Sequence, residues 1–258
     1  MNPICSLGID MGSTTAKIVG VDAEGKIVWH LLEQTDPRVA DQVERFLEHA
    51  RQMTGGVNGI PLVATGYGRK MVRHADRAVT EISCHAQGVF RALGHGGTLV
   101  DIGGQDSKVI AISPQGKEID FVMNDKCAAG TGRFLENTAA RLRVPLERMG
   151  AEALSANDEV QISSTCTVFA ESEIISLVAE GVAVPSTLRG LHRSLIKRIV
   201  AMIRTVGLAS PLMLSGGVVQ NPAIRCVLEE ETDEQVILPL HPQLMGAYGA
   251  ALLAMKTY

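Results

Sequence analysis

The feature that most constrains this chain is an internal repeat. The segment LGIDMGSTTAKIVGVDAEGKI, from Leu7, and the segment VDIGGQDSKVIAISPQGKEI, from Val100, align without a gap at a constant offset of 91. Asp10 then falls on Asp101, Gly12 on Gly103, Lys17 on Lys108, Gly25 on Gly116 and Lys26 on Lys117. Ile18, Val19 and Val21 fall on Val109, Ile110 and Ile112. Each copy reads as strand, glycine turn, strand, polar hairpin turn (Ala23–Lys26 or Pro114–Lys117) and strand. Identical spacing of Asp, Gly, Lys, Gly and Lys points to duplication, and a repeated sequence of this length means a repeated structural unit.

Helical material follows each β-unit. Apolar residues recur at helical spacing in Arg38–Met53, through Val39, Val43, Phe46, Leu47 and Ala50. The same holds for Gly130–Leu142, Thr167–Ala179 and Pro185–Val206. Short strands are expected at Ile4–Asp10, at Pro61–Thr65 before Gly66-Tyr67-Gly68, and at Pro211–Leu214 before Ser215-Gly216-Gly217. Gly246–Met255 reads as a closing helix. The expectation is two α/β lobes around a cleft: residues 1–94 with the final helix (246–258) packed back on them, and residues 95–245 carrying the informative cysteines.

Composition bounds the function classes. At 46% hydrophobic and 20% charged, the 258 residues describe a globular protein. A net charge of −4 with no basic run gives nucleic-acid binding no electrostatic support. No apolar run approaches the roughly 20 residues needed to cross a bilayer, and no charged leader precedes the Ile4–Asp10 strand. No membrane association is expected, the location is read as cytoplasmic, and the five cysteines are expected to be thiols or metal ligands.

Asp10-Met11-Gly12-Ser13-Thr14-Thr15 lies between two expected strands. Gly12 lets backbone approach a phosphate, and Ser13, Thr14 and Thr15 add donors; the cradle is a hairpin, not a helix N-terminus. Lys17 either adds charge or sits on the strand's wet face. The second cradle is Asp101-Ile102-Gly103-Gly104-Gln105. Two such loops facing each other could grip one polyphosphate. Asp10 and Asp101 would hold Mg²⁺ through waters or orient the attacking water, with Gln105 helping. Ser215-Gly216-Gly217 suits a base or ribose shelf. No Walker-type loop and no strand–GxGxxG–helix is present. With these motifs the sequence resembles the superfamily of actin, Hsp70 chaperones and acetate and sugar kinases, which implies a two-lobed, ribonuclease-H-like/actin-like ATPase fold. The implied nucleotide-binding set adds Ala16, Gly132, Gln220 and Gln243.

Of the cysteines, Cys5 (first strand) and Cys226 (amphipathic helix) read as core or neutral. Cys84-His85 tempts as a pair, but adjacent helical residues point in different directions. Cys127 and Cys166 each come just before an expected helix, whose N-terminus stabilises a thiolate or an anionic cluster. The stretches N-D-K-C-A-A-G-T-G-R-F (from Asn124) and S-S-T-C-T-V-F-A-E-S-E (from Ser163) resemble cluster-binding motifs. They are those of the activators of 2-hydroxyacyl-CoA dehydratases, in the BadF/BadG/BcrA/BcrD-type ATPase family. L-G-I-D-M-G-S-T, A-T-G-Y-G-R, V-D-I-G-G-Q-D and S-G-G-V-V-Q-N extend the likeness along nearly the whole chain. The resemblance implies a homodimer sharing one [4Fe-4S] cluster, ATP/ADP with Mg²⁺, one-electron transfer to a dehydratase or reductase, and a ferredoxin or flavodoxin upstream. Cysteine counting agrees, since a cubane usually takes four thiolates and a twofold axis doubles the two cysteines with a convincing context. ATP can drive uphill electron transfer only by favouring another conformation; shifting a one-electron potential by 100 mV takes about 2.3 kcal/mol. Rival readings are a small-molecule kinase of the same fold, and a nucleotide sensor without turnover.

Overall fold

A computed structural model describes residues 3–54, 59–163 and 166–256. Ser164 and Thr165 of the second cysteine stretch, and the last two residues of the expected closing helix, lie outside the described residues.

The duplication is visible in the backbone. β1 (Ser6–Met11), β2 (Thr15–Val21) and β3 (Ile27–Gln34) form an antiparallel meander. After α1 (Val39–Thr54) come β4 (Leu62–Thr65), parallel to β1, and β5 (Arg77–Ala78), parallel to β4. The sheet order is β3-β2-β1-β4-β5. After α2 (Glu81–Leu93) the pattern repeats with β6 (Gly97–Ile102), β7 (Ser107–Ile112) and β8 (Glu118–Asn124). β1 and β6 start and end at the sequence offset of the repeat. The chain then runs through α3 (Gly132–Leu142), α4 (Met149–Leu154), α5 (Thr167–Ala179) and α6 (Val184–Val206). β9 (Leu212–Ser215), α7 (Pro222–Thr232), β10 (Val236–Ile237) and α8 (Met245–Met255) close it. The second sheet, β10-β9-β6-β7-β8, repeats the order of the first.

Two compact units result. One comprises residues 1–96, 112–119 and 239–258; the other comprises 97–111 and 120–238. The first has a core of β1, β2 and β4 side chains against Val43, Phe46, Leu47 and Ala50 of α1, the stripe its spacing foretells. The second packs β6, β7 and β9 side chains against α3, α4, α6 and α7, with Leu188, Leu191, Leu195, Ile196 and Ile199 forming the buried stripe of α6. Several expected boundaries move: residues 112–119 and 239–245 belong to the first unit rather than the second, and β1 starts at Ser6, so Cys5 precedes it, although its N–H still donates to Val21 O at 2.7 Å. The hydrophobic run starting at Ile4 carries no register information, and pairing with β2 sets the strand's start.

In the first unit, α8 lies against β1, β2, β4 and α2. Its approach to α2 is backbone on backbone: a Cβ at Gly249 would lie 1.7 Å from Cys84 O. Gly249→Ala must therefore push α8 and α2 apart. We expect about 3 kcal/mol of lost stability despite alanine's better helix propensity, read as a lower midpoint in urea unfolding.

Candidate functional site

Each unit ends its central strand in the expected aspartate. Asp10, 5% exposed, is the penultimate residue of β1, with Lys17 Nζ of β2 at 3.4 Å from Oδ2. Asp101, 3% exposed, occupies the same place in β6, with Lys108 Nζ of β7 at 3.6 Å from Oδ2. Lys108 also reaches Asp106 Oδ2 at 2.7 Å. Neither lysine lies on a wet face, and Lys108 is 2% exposed. The repeated lysine is thus a counter-charge for the repeated aspartate, fully buried in the second unit and partly buried in the first.

The repeat extends to a third strand that the constant offset could not reveal. Thr65, the last residue of β4, sits in register with Asp10; Ser215, the last residue of β9, sits in register with Asp101. The Ser215 hydroxyl donates to Asp101 Oδ1 at 2.7 Å. Glycine follows in both units, Gly66 at φ +91° and Gly216 at φ +98°. A Cβ at Gly66 would lie 2.5 Å from Asp10 Oδ1, and one at Gly216 would lie 2.2 Å from Ile102 O. Both turns therefore need glycine twice over, for the left-handed backbone and for the close approach. The helical insert before β9 is longer than the one before β4, so these positions fall out of the sequence alignment.

In the loop after β1, a Cβ at Gly12 would lie 2.7 Å from Thr15 O. Thr35 Oγ1 donates to Gly12 O at 2.7 Å, fixing the turn from a residue that local sequence does not mark. Ser13 is exposed, Thr15 opens β2, and the buried Thr14 hydroxyl has no partner. Ala16 is buried in the core, so its side chain is unavailable to a ligand. Gln243 belongs to the same unit, in a short 3₁₀ turn before α8. Together, a glycine-shaped hollow, an orphaned hydroxyl and a buried carboxylate fit a phosphate with its metal.

The second unit collects the remaining candidates. A Cβ at Gly103 would lie 2.6 Å from Asp106 Oδ1, and Gln105 is exposed at the loop tip. Gly132 N donates to Gly103 O at 2.9 Å and Arg133 N to Gly104 O at 2.7 Å. The first amides of α3 are thus spent on the cradle's carbonyls. Gly217 to Gln220 form a 3₁₀ turn after Gly216, with Gly217 and Gln220 exposed.

The cysteines divide sharply. Cys84 is fully buried beside Val63, Ala250 and Ala254. Burial, the largest influence, pushes its thiol up to about 12, so it is no nucleophile. Cys226 lies on α7 with Glu230 at 3.3 Å, and its thiol is also raised, chiefly by burial. Cys166 is exposed and is the N-cap residue of α5. Cys127 is half-buried in the loop before α3, five residues before its first residue rather than at its cap. Asn124 Nδ2 braces that loop, donating to Cys127 O and Ala129 O at 2.9 Å each. Arg198 of α6 points an N–H at Cys127 Sγ, 4.0 Å away. Arg198 is separated by 71 residues from Cys127, and no local signal links them. Among the described residues, no group of three or more His, Cys, Asp and Glu side chains could hold a metal. No described helix is long and apolar enough to cross a membrane.

Two mixed sheets of one strand order, each ending in a buried aspartate above a glycine turn, define the two-lobed actin-like ATPase fold. The chain belongs to the BadF/BadG/BcrA/BcrD ATPase family, whose model matches residues 7–254. The solved activator of the 2-hydroxyisocaproyl-CoA dehydratase from Clostridium difficile, with bound ADPNP, is 39% identical, with a TM-score of 0.90 over 97% of this chain and 94% of that one. The activator of lactoyl-CoA dehydratase from Anaerotignum propionicum is 39% identical over 97% of both chains. A benzoyl-CoA reductase component from Thauera aromatica is 30% identical over 96% of this chain and 91% of that one.

Two outcomes follow from this geometry. Lys108→Met leaves Asp101 and Asp106 without their cation and should cost about 3 kcal/mol of stability, measured by denaturant unfolding. In iron-free protein, iodoacetamide should label the exposed Cys166 first and spare Cys84 until the chain unfolds, as read by peptide mass spectrometry.

Proposed function

We propose that this ATPase is a one-electron donor: it activates a partner dehydratase of the 2-hydroxyacyl-CoA class through a [4Fe-4S] cluster bound by Cys127 and Cys166 from each of two identical chains. The carrying observation is the Cys127 loop, which runs directly into α3, whose first amides bind the carbonyls of Gly103 and Gly104. A ligand that reshapes the phosphate loop therefore pulls on the root of the cysteine loop. The identity to activators supports the dehydratase partner over a benzoyl-CoA reductase, whose component is less similar.

The residues fit both ligands. Asp10 and Asp101 serve Mg²⁺ or the attacking water, Gly12 and Gly103 admit phosphate, Ser13 to Lys17 and Gln243 flank the first loop, and Gly216, Gly217 and Gln220 form the adenosine shelf. Lys17 and Lys108 supply counter-charge to the aspartates. Cys166 stands at the start of α5, where free amides favour anionic sulfur, and Arg198 faces Cys127 with positive charge. One chain offers two thiols and a cubane takes four, so a second copy completes the set. Val168 and Phe169, each 68% exposed in the first turn after Cys166, give that copy apolar surface to cover. When bound, the cluster supplies single-electron transfer. A ferredoxin or flavodoxin reloads it, within the cytoplasm of a cell with anaerobic metabolism.

Anaerobically purified protein should carry about four irons per two chains. Cys127→Ala and Cys166→Ala should lose them, while Cys5→Ala and Cys226→Ala keep them; four irons on each single chain would defeat the shared cluster. Asp10→Ala and Asp101→Ala should lower ATP turnover by at least tenfold with iron retained, measured by phosphate release. Reciprocity is the sharper test: an ATP analogue should change the rate at which chelators remove iron, and cluster reduction should change nucleotide affinity by the matching factor. Equal chelation rates with ADP and analogue, with equal affinities in both redox states, would leave the iron uncoupled.

A further inference from the structure

His192 has no part in the chemistry above, yet it is a fully buried titratable side chain in the second unit. Its Nδ1 lies 2.7 Å from Leu188 O, one turn earlier on α6. A carbonyl only accepts, so Nδ1 carries the proton. Its Nε2 lies 2.9 Å from Asn221 Nδ2. The Asn221 side chain is itself oriented, because its Oδ1 accepts from Ala223 N at 3.1 Å and caps α7. The amide group therefore faces the imidazole and donates to Nε2. Only the neutral tautomer with Nδ1 protonated satisfies both contacts. Burial, the largest influence, lowers the His192 pKa and keeps that form.

Asn221 directly follows the turn Gly217–Gln220, and its backbone N–H closes that turn onto Val218 O at 3.0 Å. The entrance of the turn is pinned by Gly216 against Ile102 and by Ser215 on Asp101. The exit is pinned by His192, with α4 pressed on the other side: a Cβ at Gly150 would lie 2.3 Å from Asn221 Oδ1. Between these two anchors, Gly217 and Gln220 face solvent.

We propose that His192 is a positioning residue for the nucleoside end of the bound nucleotide, holding the Gly216–Gln220 turn through Asn221. This rests on the turn being the adenosine shelf. A shelf that is pinned only at the phosphate end would still support hydrolysis, but would bind the nucleoside loosely. His192 therefore acts on affinity rather than on the chemical step.

The test uses the full-length protein. His192→Phe keeps ring volume and takes the acceptor from the part-buried Asn221 N–H; its KM for ATP and its Kd for ADP should rise about tenfold, with kcat within about twofold. His192→Gln, whose side-chain carbonyl can accept from Asn221, should recover most of the affinity, and Asn221→Ala should match His192→Phe without adding to it. Leu195→Ala, a core truncation on the same helix, serves as control: it should lose stability with KM unchanged. A lower unfolding midpoint for His192→Phe with normal KM and Kd would make His192 a core residue only and overturn the inference. Gly216→Val separates the underlying reading, because normal ADP binding by that variant would remove the shelf itself.

Discussion

The buried carboxylate at the end of β6 is the interaction on which the second unit depends. Asp101 accepts the Ser215 hydroxyl from β9 and pairs with Lys108 from β7. One side chain thus ties the tips of three adjacent strands. In a low-dielectric setting such a network is strong when complete and costly when broken. It gives the Gly103–Gly104 loop on one side and the Gly216 turn on the other a common base. The first unit places Asp10, Lys17 and Thr65 in the same register and pairs Lys17 with Asp10, but its buried Thr65 hydroxyl has no partner. The duplicated element is therefore more than a loop: it is a three-strand rim with acid, base and hydroxyl in fixed register.

That rim explains why the glycines sit where they do. With the aspartate held at the strand end, the following turn must fold back against its own strand, and a side chain at Gly66 or Gly216 would strike the neighbouring strand's carboxylate or backbone. A rim this crowded has little freedom to relax. A displacement imposed on the 103–104 carbonyls passes to whatever is bonded to them, and those bonds belong to the first turn of α3.

Much of this was legible in the sequence. The offset of 91 places β1 and β6 residue for residue, because the meander is local and its turns are set by glycine and polar pairs. Helix α1 follows from the spacing of Val43, Phe46, Leu47 and Ala50. What escaped was long-range. Thr65 and Ser215 are equivalent only in space, because inserts of unequal length separate them from their aspartates. Thr35 under Gly12, Arg198 beside Cys127 and His192 behind Asn221 all reach their partners across the chain, and no local pattern announces such contacts. Ala16 shows a different limit: it lies inside the expected loop motif, and strand alternation sends its side chain into the core.

The asymmetry between the two copies carries the last step. Between β3 and β4 the first copy has the single helix α1, whereas between β8 and β9 the second has α3, α4, α5 and α6. Cys127 and Cys166 both fall inside that larger insert. Its entrance is bonded to the Gly103–Gly104 loop through Gly132 and Arg133. Its last helix carries Arg198 beside Cys127 and His192 beside the residue that ends the Gly216 turn. His192 and Arg198 are six residues apart on one helix, about 9 Å along its axis. The duplicated rim is thus elaborated in one copy, and the informative cysteines belong to that elaboration. The elaboration here is bonded to the rim at both ends: the first amides of α3 hold the carbonyls of Gly103 and Gly104, and His192 of α6 holds Asn221 at the exit of the Gly216 turn.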